Sequence, residues 1–306
     1  MLHHIGPPAV HDRWNRSLEP RLEVESGDVV EFDCLDSSGG QVTPHTTLDE
    51  YMRIDRGKIH TITGPVFVKG ARPGDVLEVR VRRVEHHGWG WTSIVPGLGS
   101  LPARFGNPFL FLWRLEGGES RSMPGITLQL APFLGIMGVA PGEDGEMRTR
   151  PPGAHGGNLD VRQLVPGATL YLPVFNDGAL FSAGDGHAAQ GDGEVCINGI
   201  EAPMTAELQL TVRRDFRISQ PLAEFPPQPP RGPDLGSWAF IESAEHPMDA
   251  ARGVIGRAVD FLVARRRLSP EQAYALCSVA LDLRISQCVN TPLVTVSGLL
   301  AKSLFR

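Results

Sequence analysis

The chain has 306 residues, a formal net charge of −6, and apolar and charged fractions of 41% and 21%. That length and balance suit one large folded domain or two ordinary ones and exclude wholesale disorder. The acidic balance argues against a nucleic-acid partner, which needs a basic stripe to neutralise phosphates.

No apolar run reaches membrane-spanning length, so no membrane partner is expected. The opening Met1-Leu2-His3-His4-Ile5-Gly6-Pro7 lacks the charged and apolar regions of a secretion signal, and a cytoplasmic location is the expectation. Cys34, Cys196, Cys277 and Cys288 form no Cys-x-x-Cys pair and read as free thiols. The 35 glycines and 26 prolines predict many tight turns between short strands.

In chain order, a turn at Gly27-Asp28 leads into a β run ending near Asp36. Pro73-Gly74-Asp75 opens a second run in which Leu77, Val79 and Val81 alternate with Val76, Glu78 and Arg80. Between residues 88 and 160 long ordered loops are expected, with short strands at 109–115 and 126–130. Val165-Pro166-Gly167 repeats the turn-then-strand form; shared turn chemistry or structural repetition would each produce that likeness. Ala206, Leu208, Leu210 and Val212 define the core face of a further strand.

The proline-rich stretch 224–236 reads as a stiff connector. Beyond it, helical spacing from Met248 to Arg266 and the Ser269-Pro270-Glu271-Gln272 start signal predict two helices, followed by a closing strand over 282–290. The expected fold is mainly β, a sandwich- or barrel-like body over 1–223, with a smaller C-terminal α/β unit over 237–306 packed on it. The class is α+β overall.

The densest chemistry lies in Gly184-Asp185-Gly186-His187-Ala188-Ala189-Gln190-Gly191-Asp192-Gly193-Glu194. Period-two geometry puts Asp185 and His187 on one strand face, and Asp192 and Glu194 on one face of the outgoing chain. Such a hairpin aims oxygen and nitrogen donors at one point, a set that suits zinc, with a harder cation such as calcium nearby. A glycine-rich hairpin with solvated polar side chains is the plainer alternative.

His155-Gly156-Gly157-Asn158-Leu159-Asp160 offers backbone N–H groups and a side-chain amide that could hold an amide or its oxyanion. An ordinary turn, with Asn158 and Asp160 bonding their own backbone, would carry the same residues. Asp36, His60, Trp89 and Trp91 are weaker candidates.

These clusters, with Leu170-Tyr171-Leu172-Pro173-Val174, Gly178-Ala179-Leu180-Phe181-Ser182 and Thr63-Gly64-Pro65-Val66-Phe67-Val68, closely resemble the acetamidase/formamidase family along nearly the whole chain. The resemblance implies a β-rich hydrolase of short amides with a metal-containing site and a homo-oligomeric assembly, dimer or tetramer. One departure is Ile197-Asn198-Gly199 ahead of Ile200-Glu201, where relatives carry smaller residues.

The expected mechanism places a divalent metal on some of Asp36, His60, Asp185, His187 and Asp192. Glu194 is the expected general base and His187 a catalytic partner. Asn158 with the Gly156-Gly157 N–H groups would hold the oxyanion, and His155, Gln190 and Trp91 would line the substrate site. Cys196 as a nucleophile, or a metal-stabilised β protein that binds a small ligand without turnover, are the alternatives.

Overall fold

The computed structural model describes residues 1–227, 235–289 and 291–305. The body is two sheets face to face. The first has six strands, in the order Leu2–Ile5, Val29–Cys34, Met204–Arg213, Val76–His86, Thr169–Pro173 and Leu222–Glu224. The second runs Gly156–Asn158, Phe133–Gly138, Phe181–His187, Ile62–Val68 and Val10–His11, with Leu22–Val24 also paired to Ile62–Val68.

Alternation explains the first sheet: Val30, Phe32 and Cys34 point inward from one strand, and Ala206, Leu208 and Leu210 from its neighbour. The three turn-then-strand segments all end as strands of this sheet. Phe32 meets Phe181 of the second sheet edge to face, with ring centroids 5.7 Å apart. Each such ring contributes about 1.5–3 kcal/mol by leaving water.

The central strands of the second sheet are covered on both faces. Every residue of Phe133–Gly138 and of Phe181–His187 is buried, so neither strand shows an alternation of buried and exposed positions. The region 88–160 accordingly holds more strand than expected, with a hairpin of Trp89–Ile94 and Phe109–Arg114 besides the two strands of the second sheet. Another correction concerns the connector: Glu224 still belongs to a strand, and residues 228–234 lie outside the described residues.

The C-terminal part is a three-stranded antiparallel sheet, Ser237–Ala244, Val294–Ala301 and Leu281–Gln287, covered by helices Pro247–Arg266 and Pro270–Ala280. The second helix begins as its sequence predicts: Ser269 accepts from the Gln272 N–H, and the Gln272 side chain caps the Ser269 N–H in return. The closing strand stops at Gln287, and Asn290 lies outside the described residues.

One hydrophobic core joins body and tail, running from Phe32, Val79 and Leu208 through Val195 and Cys196 to Ile255, Leu262, Tyr274 and Leu276. No helix among the described residues is long and apolar enough to cross a membrane.

Candidate active site

The strand Phe181–His187 ends against a cavity of about 380 Å³, within the range of small-molecule sites. Asp185 and His187 reach it from that strand, as their shared face predicts. The chain then leaves regular structure, and Glu194 enters the cavity wall from the loop with a positive φ of 44°. Asp185 also holds a positive φ, 58°, a conformation that costs energy for a side chain and persists where the surroundings impose it.

The segment Ile200–Ala202 returns between two elements. Glu201 exchanges backbone hydrogen bonds with Trp91, 2.8 Å each way, and the Ala202 N–H donates to Gly186. This threading brings the Glu201 carboxylate to 2.8 Å from His187 Nε2. Around the same imidazole stand Asp185 at 3.6 Å, Glu194 at 3.8 Å and, on the Nδ1 side, Asp160 at 3.7 Å.

His187, Asp185, Asp160 and Glu201 all carry buried side-chain atoms without a hydrogen-bond partner. Gly135 leaves the space between them: a Cβ there would come within 2.6 Å of Asp160 Oδ1, 2.9 Å of Asp185 Oδ2 and 3.0 Å of His187 Cε1.

Crowding of acids out of water sets the electrostatics. Burial first, then the neighbouring carboxylates, pushes Asp185 and Glu194 well above the usual carboxylate range. Asp160 and Glu201 are each pushed up to about 7, again chiefly by burial. His60, on the cavity wall, is held down to about 3 by burial and by the positive fields of His187, Arg150 and Arg148.

Several expected site residues take other posts. Asp192 is not on a strand, so the period-two argument fails beyond His187. Its carboxylate accepts from Arg162 Nε at 2.8 Å and Gln163 Nε2 at 3.1 Å, outside the cavity. Asp36 accepts from Trp91 Nε1 at 3.2 Å and the Ser38 N–H at 2.9 Å, and acts on the cluster only through its charge.

His60 borders the cavity but stands outside the converging donors. Gly156 and Gly157 are strand residues paired with Gly138 and Met137, away from the cavity, and the Gly156 N–H is taken by Gly153 O. His155 packs against Trp14 instead, and Gln190 donates to the Asp160 carbonyl at 2.9 Å, supporting the cluster from behind.

Trp91 and Asn158 do line the cavity, and Asn158 Oδ1 is buried without a partner. Cys196 turns its thiol to the Ser93 carbonyl, 3.5 Å away, and burial pushes that thiol up to about 11.

No local pattern marks Tyr51, Arg56, Arg148 and Arg150, which also line the cavity. Asn198, the departure from the family pattern, does point inward: Ser93 N–H and Oγ hold its Oδ1 at 2.9 and 2.7 Å, and Ser93 Oγ is 2.7 Å from the Tyr51 hydroxyl.

A two-sheet β sandwich with a buried imidazole ringed by carboxylates at the base of a cavity is a scaffold for small-molecule chemistry. The chain belongs to the Acetamidase/Formamidase family, whose profile matches residues 4–145 and 143–306.

It is 34% identical to a Bacillus halodurans acetamidase of known structure, with a TM-score of 0.70 and 97% of each chain covered. The fold matches a γ-lactamase from Delftia acidovorans with a TM-score of 0.90 over 97% of this chain and 90% of that one, at 24% identity. A putative formamidase of Schizosaccharomyces pombe is 28% identical over 249 residues, a match that takes in 63% of this chain and 61% of the relative. The chain thus spans about three fifths of that relative's length.

Proposed function

We propose that this chain hydrolyses short linear amides to carboxylate and ammonia, using a divalent cation, zinc in first place, at the His187 cluster. The observation that carries the reading is the convergence of unpartnered buried donors from Asp160, Asp185, His187 and Glu201 around the space left by Gly135. A donor set of one imidazole and several carboxylates suits such an ion, and leaving it uncompensated in the interior would be costly. When bound, the ion supplies Lewis acidity, offsetting charge on an amide oxygen and making a water easier to ionise.

The remaining roles fall to the protein. Glu194 faces the cavity with its proton affinity raised by burial and by the neighbouring carboxylates, the direction a general base needs. It would take a proton from the attacking water and pass it to the leaving nitrogen. Asn158 offers its side-chain amide to the substrate carbonyl, and Trp91 walls the site against water. The family's acetamidase and formamidase names favour small amides as the substrate class.

Ammonia release from formamide, acetamide and longer amides, with and without chelator, tests the reading. Activity is expected to vanish on chelation and return with added zinc, and to survive iodoacetamide because Cys196 is buried. Release that persists in the fully metal-stripped protein would sink the metal part, and no release from any amide would sink the whole.

Proton linkage gives a second check. Asp160 and Glu201, held near 7 in the folded chain, ionise near 4 when unfolded. Between those values the folded state binds more protons, so their contribution to stability is lost as pH rises through about 7. The melting temperature of chelated protein should therefore fall from pH 5 to pH 8, and a divalent ion should remove most of the fall. A flat profile would mean that these carboxyls are already ionised in the folded chain.

A further inference from the structure

Acetamide has four heavy atoms, whereas the cavity measures about 380 Å³. At roughly 30 Å³ per water, that is space for about a dozen waters, several times what a small neutral amide fills. The surplus is lined by cations. Arg56, Arg148 and Arg150 all face the cavity, and none has a carboxylate partner among the described residues.

Their placement is fixed by the fold. Thr149 is fully buried and its Oγ1 donates to the His60 carbonyl at 2.9 Å, which ties this segment to the cavity wall. The two arginines flank that anchor and stay exposed, while Arg148 is held in register with Arg13. Arg56 lies over the Tyr51 ring, 4.5 Å from its centroid, and donates to the Tyr51 hydroxyl at 3.0 Å and carbonyl at 3.1 Å. The field of Arg148 and Arg150 reaches inward far enough to bear on His60.

We infer that this pocket takes amides whose acyl chain ends in a carboxylate, with Arg148 and Arg150, backed by Arg56, holding the carboxylate while the amide faces the His187 cluster. Arginine's planar fork matches a carboxylate with paired hydrogen bonds, and a site built on such pairs rejects an analogue that lacks the charge. The inference rests on the amidase reading. Water adds to the amide carbon, the carbon–nitrogen bond breaks, and the products are a dicarboxylate and ammonium, so the charge balances.

Succinamate and its neutral isostere 4-oxopentanamide are the probes, with acetamide as reference. Wild-type kcat/KM should favour succinamate about 10- to 100-fold, the range of one or two charge-assisted hydrogen bonds. In the Arg148→Gln/Arg150→Gln variant the ratio should fall to near one. Equal turnover of both probes by the wild type overturns the proposal while leaving the amidase reading intact. A variant that loses both probes in proportion also overturns it, since the arginines would then only balance the buried acids. Should no amide be hydrolysed, the amidase reading fails by itself. Calorimetric binding of the two probes, with and without the arginine substitutions, then decides the carboxylate site, and equal affinity for both overturns it.

Discussion

Glu194→Gln is expected to cut ammonia release by about 10²- to 10⁴-fold while leaving thermal melting and bound metal unchanged, the loss typical of removing a general base. The amide has the shape of the carboxyl and cannot accept the proton. Glu194 is suited to the part because it lines the cavity from a loop, its side chain is 21% exposed, and its oxygen lies 3.8 Å from His187 on the Nε2 side. Glu201 is its natural control. With a side chain only 2% exposed and 2.8 Å from the imidazole, Glu201 belongs to the wall of the donor set, and Glu201→Gln should lower metal content as well as turnover. Full activity in Glu194→Gln would remove Glu194 from the mechanism, and loss of metal in that variant alone would exchange the two roles.

Arg162→Ala should be strongly destabilising although the residue lies outside the cavity. The guanidinium joins the site loop to the C-terminal sheet, 2.8 Å from Asp192 and 3.1 Å from Asp282, while the Asp192 backbone N–H donates to Asp282. Removing the cation leaves two facing carboxylates with little water around them. A loss of about 2–4 kcal/mol is expected, discounted from the cost of breaking a fully buried pair because Asp192 is 31% exposed. Melting should fall by about 3–6 °C. Asp192→Asn should be much milder and keep its metal. Metal loss in Asp192→Asn would restore Asp192 as a ligand.

The contrast between Asp185 and Asp192 shows how far the sequence could be read. The spacing of Asp185 and His187 was informative because a real strand runs to His187. Two residues per repeat has meaning only inside that strand, so the spacing says nothing about where Asp192 points. Glu201 is illegible for a related reason: it arrives on a returning segment fixed by contacts to Trp91 and Gly186, which no local pattern encodes.

Tyr51 and Arg56 come from a short helical turn and its flank, far away in sequence. Strands such as Phe133–Gly138 were hidden because both of their faces are covered. The helices were legible because capping chemistry at Ser269 and apolar spacing after Met248 are local. The amphipathic strands of the first sheet were legible for the same reason.

The helix Pro270–Ala280 lies against the loop that carries Glu194. From Ala273 to Ala280 every residue is buried, and the helix grips the site loop by polar contacts. The Tyr274 hydroxyl donates to the Val195 carbonyl, Ser278 Oγ accepts from the Cys196 N–H and donates to the Asn198 carbonyl, and the Ser278 carbonyl receives the Gly191 N–H. A ribosome makes every cavity side chain before it makes this clamp. A nascent chain stopped short of residue 270 would carry the whole reactive set without the helix that fixes the backbone of the loop bearing Glu194 and Asn198, so catalytic competence should appear only once residues 270–280 have emerged.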